Sequence, residues 1–68
     1  MKISIEACRV NAKMTRREFA EAFHVDIGTI YSWESGHEKP SLLQLNMISE
    51  LSGIPIENIS VGEIVPII

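Results

Sequence analysis

Two short helical segments separated by only three residues limit the possible folds more than any other feature of this sequence. Thr15, with Glu18 three positions later, has the spacing of a capping box and predicts a helix over residues 16–23. Three apolar residues in this helix recur at helical spacing: Phe19, Ala20 and Phe23. The pattern stops for residues 24–26 and resumes over residues 27–35. These two helices of about eight and nine residues, with the tight turn between them, form the most informative unit of the chain.

Capping signals also mark the end of this second segment and a helix that precedes the pair. Asp26 is a good N-cap for residues 27–35, and Gly36 suits the left-handed residue after its end. The inward-facing residues of that helix are expected to be Ile30 and Trp33. Ser4 caps a predicted first helix over residues 5–12. Its inward-facing positions are expected to be Ile5, Cys8 and Ala12.

The second half of the chain predicts two more helices and an apolar tail. Ser41 and Gln44 form another capping box, which opens a helix over residues 42–52. The apolar stripe of this helix is expected to be Leu42, Leu45, Ile48 and Leu51. Pro55 suits the start of a short fifth helix over residues 55–59. We therefore predict an all-α fold of five short helices, followed by an extended apolar C-terminal tail with an edge strand near its end.

Size and composition exclude several classes of function. A chain of 68 residues forms one small domain without the walls of a deep substrate cleft, so we do not expect an enzyme. Cys8 is the only cysteine, and neither it nor the two histidines have metal-ligand spacing, so no metal or cofactor is expected. No apolar run approaches the roughly 18 residues of a membrane span. We expect a cytoplasmic protein that does not interact with membranes.

Charge is distributed unevenly along the chain, whose net charge is −3. Residues 9–17 contain four bases and no acid, whereas residues 40–68 contain three glutamates and no base. The four bases are Arg9, Lys13, Arg16 and Arg17. Only the first half of the chain is therefore expected to face phosphate groups.

The residues on both sides of the three-residue break match a known pattern. Residues 14–20 read Met-Thr-Arg-Arg-Glu-Phe-Ala, and residues 25–36 end in Trp-Glu-Ser-Gly. Together with Pro-Ser-Leu at residues 40–42 and Leu-Ser-Gly-Ile at residues 51–54, this resembles the phage repressor/Cro helix-turn-helix family, also called XRE-like. The resemblance covers about residues 3–59. It implies a lambda-repressor-like DNA-binding fold and a transcription regulator of the Cro or repressor type, from a phage or prophage.

The resemblance also implies which residues contact DNA. The helix over residues 27–35 corresponds to the recognition helix, and its base-facing positions are Ile27, Gly28, Thr29 and Ser32. The family positions that contact the backbone are Arg16, His37 and Lys39. Arg17, beside Arg16 in the basic cluster, and Tyr31 are further expected backbone contacts, with plain exposure as the alternative for Tyr31. The family pattern also pairs Arg9 with Glu34 in an ion bridge between the first and third helices, which is a structural role.

The residues themselves agree in part with this assignment. With Ile30 and Trp33 inward, the helical step turns Gly28, Ser32 and Ser35 outward. This surface has no Arg, Asn or Gln for bidentate reading of a base, so modest specificity or a contribution from DNA shape is expected. The chain also has His24 where the family turn usually has Gly, and acids at positions 26 and 38 that oppose phosphate.

Apolar residues outside the main core stripe point to a partner. We divide the chain into a DNA-binding domain, residues 1–59, and a tail, residues 60–68, that is a possible dimerisation segment. The candidate interface residues are Leu43, Met47, Ile64, Val65 and Ile67. A homodimer would present two recognition helices to the two halves of a pseudo-palindromic operator. The alternative is that the tail folds back over its own core.

A second function remains open on the same fold. The acidic net charge, the small recognition surface and the apolar tail also fit a protein-binding module. Such a module would act as an antitoxin or as a modulator of another repressor protein.

Overall fold

The computed structural model describes residues 2–61, and in this part of the chain four α-helices account for most of the fold. They are α1 (Ile5–Asn11), α2 (Arg16–Phe23), α3 (Ile27–Ser35) and α4 (Leu42–Ser52). The four helices predicted from the sequence are confirmed, with α1 one residue shorter than expected because Ala12 is its C-cap.

The predicted fifth helix over residues 55–59 is present only in part, as a 3-10 helix and not as an α-helix. Ile56–Asn58 form a single 3-10 turn, after which the chain extends into strand β2, Ile59–Ser60. Strand β1, Ile3–Ser4, pairs with β2 in parallel, with Ile3 opposite Ile59. Ile59 is a buried β-branched residue, so it fits an extended chain packed on the core better than another helical turn. The fold is therefore mostly helical with one short β-pair, and the predicted tail strand lies outside the described residues.

The helix ends form where the capping residues predict them. Ser4 accepts a hydrogen bond from the Ala7 backbone N–H at 3.0 Å, and both predicted capping boxes are complete. Asp26 occupies the N-cap of α3 with an extended backbone, but its side chain makes no capping hydrogen bond. The left-handed residues after α2, α3 and α4 are His24, Gly36 and Gly53. These caps fix where each helix starts and stops.

The core lies where the four helices meet. Its buried apolar residues are Ile5, Cys8, Phe19, Ala20, Phe23, Ile30, Trp33, Ile48 and Ile59. α2 packs mainly against α3, and α1 packs mainly against α4. Asn11 joins the second pair by donating from Nδ2 to the Ser52 carbonyl at 2.6 Å. The predicted inward faces of α1, α2 and α3 are confirmed, with Ala12 half-buried.

The apolar stripe predicted for α4 is partly wrong. Ile48 and Ser52 are buried and Leu45 is half-buried, but Leu42 and Leu51 are exposed. Residues 42 and 51 are nine positions apart, and at about 100° per residue they lie on opposite sides of the helix. One inward face cannot include both, so the core uses the residues between them.

Candidate nucleic-acid interface

The turn between α2 and α3 holds the two helices at a fixed angle. His24 takes the left-handed conformation with φ of 55°, and the backbone N–H of Val25 bonds to the Ala20 carbonyl at 3.0 Å. The ring of Phe23 on α2 meets the edge of Trp33 on α3, with 5.4 Å between centroids. Both residues are buried, so the orientation of α3 on α2 depends on core packing.

The outer surface of α3 is open at its N-terminal end. Gly28 is exposed, and a side chain added there would meet no other atom within 4 Å. Ile27 and Tyr31 are exposed, and Thr29 and Ser32 are half-buried. The predicted base-facing residues are thus accessible on a helix whose opposite side is anchored in the core.

An ion network fastens Arg16, the first residue of α2, to α3. Its Nε donates to Glu34 Oε1 at 2.9 Å, and its Nη2 donates to Glu6 Oε2 at 3.1 Å. The guanidinium carbon also lies over the Tyr31 ring, 4.6 Å from the centroid, in cation–π geometry. The hydrogen bond to Glu34 raises the pKa of Arg16 above its ordinary value. The structure therefore places two predicted backbone-contacting residues, Arg16 and Tyr31, side by side.

Glu34 is the centre of this network, because it also binds the arginine of α1. Arg9 Nε donates to Glu34 Oε2 at 2.7 Å, and Arg9 Nη1 donates to the Met14 carbonyl at 2.9 Å. The side chains of Glu34 and Arg9 are only 7% and 10% exposed. The predicted bridge between the first and third helices is present, and one carboxylate ties α1 and α2 to α3.

The other predicted backbone-contacting residues are spread around α3. Arg17, His37 and Lys39 are all exposed. His37 Nδ1 lies 2.8 Å from Ser35 Oγ, which fixes the imidazole beside the end of α3. Asp26 and Glu38 are exposed as well, the first at the N-cap of α3 and the second in the loop after it.

Comparison with known protein families decides the assignment. A helix-turn-helix family model of the XRE type matches residues 5–59, which is most of the chain. The chain belongs to this helix-turn-helix family. The family consists of DNA-binding transcription regulators that are typically not enzymes, and membership implies double-stranded DNA as the ligand. No curated protein and no solved structure matched the chain.

Two acids of this helix-turn-helix protein have contacts that the sequence does not predict. Glu6 is not a predicted site residue, and Glu34 is predicted only as the partner of Arg9, although it binds Arg16 as well. Their spacing from Arg16 is ten and eighteen residues, so no local periodicity reports the contacts. The position of Arg16 is a signal, because an arginine at the N-terminal end of a helix opposes the helix dipole and favours nearby acids.

The helix-turn-helix protein also exposes an apolar surface on α4. Leu42 and Leu43 are 71% and 72% exposed, whereas Met47 packs against the core. The other candidate interface residues, Ile64, Val65 and Ile67, lie outside the described residues. Among the described helices, none is long and apolar enough to span a bilayer.

Proposed function

We propose that this chain is a sequence-specific operator-binding regulator of the Cro or repressor type, which inserts α3 into the major groove. The observation that supports this best is the open outer surface of α3, with Arg16 beside it. Gly28 lets the α3 backbone approach the base edges, and Ile27 reaches a thymine methyl group. Ser32 and Thr29 supply hydroxyl groups that bond to several bases.

Contacts to the phosphate backbone fix the position of the helix and supply most of the affinity in this proposal. Arg16 and Arg17 lie at the start of α2, and His37 and Lys39 lie in the loop after α3. Tyr31 supports Arg16 through its ring. Backbone contacts carry no sequence information directly. Since the base-facing surface is small, specificity comes partly from the shape of the operator.

The active form in this proposal is a homodimer on a pseudo-palindromic operator. Two copies of α3 would then enter successive major grooves about 34–36 Å apart. The exposed Leu43 of α4 supports a contact between subunits. Bound at a promoter, such a dimer regulates transcription by excluding RNA polymerase or by contacting it.

One observation favours a second function, a protein-binding module that acts as an antitoxin or modulates another repressor. Leu42 and Leu43 form an apolar surface that is remote in sequence from the basic residues at positions 9–17, in a chain of net charge −3. A larger protein partner would cover this surface without any contact to DNA.

Selection of duplexes from random DNA, followed by a salt titration, tests the first function. Recovery of a two-fold symmetric sequence, with half-sites about one turn apart, supports a dimeric operator-binding protein. With about 3–5 phosphates neutralised per subunit, the slope of log K against log salt for the dimer is expected to be about −5 to −9. Retention of a protein partner but no DNA at about 50 mM salt would favour the second function.

Two exposed residues offer a matched pair of variants for the DNA face. Ile27 on α3 and Leu51 on α4 are each 41% exposed. The I27E variant places a carboxylate against the groove and is expected to lose operator binding. The L51E variant changes charge and apolarity equally and is expected to bind like the original protein. Equal loss in both variants would contradict the assignment of α3 as the recognition helix.

A further inference from the structure

Arg16 is held by two carboxylates of very different character. Glu34 is 7% exposed and is bound at the same time by Arg9, so its position is fixed by α1 and α3. Glu6 is 56% exposed and reaches Arg16 Nη2 at 3.1 Å from the first turn of α1. An exposed pair of this kind is weak and is screened by salt, whereas the buried partner stays in place.

We propose that Glu6 is a releasable counter-charge, which competes with a DNA phosphate for Arg16 and lowers the affinity of the protein for DNA. This inference rests on the DNA-binding function proposed above. When a phosphate approaches, its oxygens replace the Glu6 carboxylate at Nη2, and the glutamate returns to water. Glu34 keeps Nε, and the Tyr31 ring remains beside the guanidinium.

The geometry explains why the arginine can exchange one partner and keep its position. A guanidinium has five N–H donors in a rigid plane, so Nε and Nη2 serve different acceptors. Fixing Nε on the buried Glu34 sets the direction of the plane before DNA arrives. Binding then requires little further ordering of this long side chain.

A double-mutant cycle between Glu6 and Arg16 tests the competition. The proteins are the original chain, E6Q, R16Q and the double variant, and the control is E50Q, which changes the net charge equally. Glu50 is exposed on α4 and has no ion pair among the described residues. Dissociation constants are measured at about 50 and 150 mM salt on the selected duplex and on a random duplex of the same length. Thermal melting shows that each variant is folded.

The expected result is a gain in affinity for E6Q of about two- to fivefold per bound subunit at the lower salt concentration, on both duplexes. The salt slope becomes steeper by up to about 0.9 per bound subunit, because the released glutamate no longer takes up a cation. In the R16Q background, the same substitution at position 6 changes affinity less than about twofold.

Two other results would overturn the proposal in different ways. An equal gain from E6Q with and without Arg16, or a gain no larger than that of E50Q, means that Glu6 acts only by long-range electrostatic repulsion of DNA. In that case DNA binding stands and the competition is rejected. If neither the original protein nor any variant binds either duplex, the DNA-binding function itself fails and the inference fails with it.

Discussion

The flank of α3 and the surface of α4 differ in how their side chains are satisfied. Beside α3, one buried carboxylate joins two arginines, so polar side chains position this helix. On α4, Leu42 and Leu43 stand in solvent although both belong to a helix that buries Ile48. The first surface is organised within the monomer, whereas the second has apolar area left for a partner. These two surfaces should therefore respond to different kinds of substitution.

Removing Glu34 should have the largest effect, and it should be an effect on stability. The E34A variant leaves the guanidinium of Arg9, 10% exposed, with only the Met14 carbonyl and the exposed Glu6 carboxylate, 3.8 Å away, as partners. Removing one partner of a buried ion pair costs about 3 kcal/mol where such partial compensation remains. We expect the free energy of unfolding to fall by about that amount in urea denaturation near neutral pH.

The control for this variant is E50A, which removes an exposed carboxylate of α4. Its free energy of unfolding should stay within about 0.5 kcal/mol of the original value. If both variants lose the same stability, the Glu34 network does not organise the α3 flank and the contrast with α4 disappears.

Substitution on the α4 surface should instead change assembly. The L43E variant places charge on a residue that is 72% exposed, so the monomer has little reason to unfold. If Leu43 lies at the dimer contact, sedimentation should show a shift towards monomer, and operator affinity should fall about tenfold or more as bivalency is lost. V10E, an equivalent change at an exposed residue of α1, should do neither. A dimer that persists in L43E contradicts an α4 interface.

Gly28 separates stability from function on the α3 surface. Because a Cβ there meets open space, G28A should raise the free energy of unfolding by about 0.5–1 kcal/mol. The added methyl group should hold the backbone away from the bases and reduce operator affinity severalfold. N46A on α4 should raise stability similarly and leave affinity unchanged. Unchanged affinity in G28A would mean that the backbone does not approach DNA closely at this position.

The elements that the sequence predicts well are those determined by local chemistry. The capping boxes at Thr15 and Ser41 consist of hydrogen bonds between residues three positions apart, and the buried faces of α2 and α3 follow helical periodicity. The β-pair was not predicted, because Ile3 and Ile59 meet only through the tertiary fold. For the same reason, the α4 leucines could not be divided between core and surface without knowing where α1 lies.

The candidate site shows the same division. The location of α3 follows from local signals, but the partners of Arg16 do not. From the sequence alone, Arg16 is expected only to contact the phosphate backbone of DNA. The structure instead supplies Glu6 and Glu34 within the molecule, through contacts that join three helices.

The smallest expected effect concerns the turn at His24, which connects α2 to α3. α2 ends at His24, with φ of 55°, whereas α3 and α4 end at glycines. A non-glycine residue in this conformation costs about 1–2 kcal/mol, and substitution by glycine removes that cost. The greater freedom of glycine in the unfolded chain cancels roughly half of the stability gained. The H24G variant should therefore be more stable by about 0.5 kcal/mol, a rise in Tm of about 2–4 °C.

Lys13, with φ of 60°, provides the matched position at the end of α1. K13G removes a side chain at nearly the same backbone angle, so it should give a similar rise in Tm. Operator affinity should not change in H24G, because His24 is not among the expected DNA contacts and glycine keeps the left-handed backbone conformation. If H24G lowers affinity while K13G leaves it unchanged, the imidazole itself contacts DNA. The DNA-contacting surface of the protein then extends from α3 into the turn at His24.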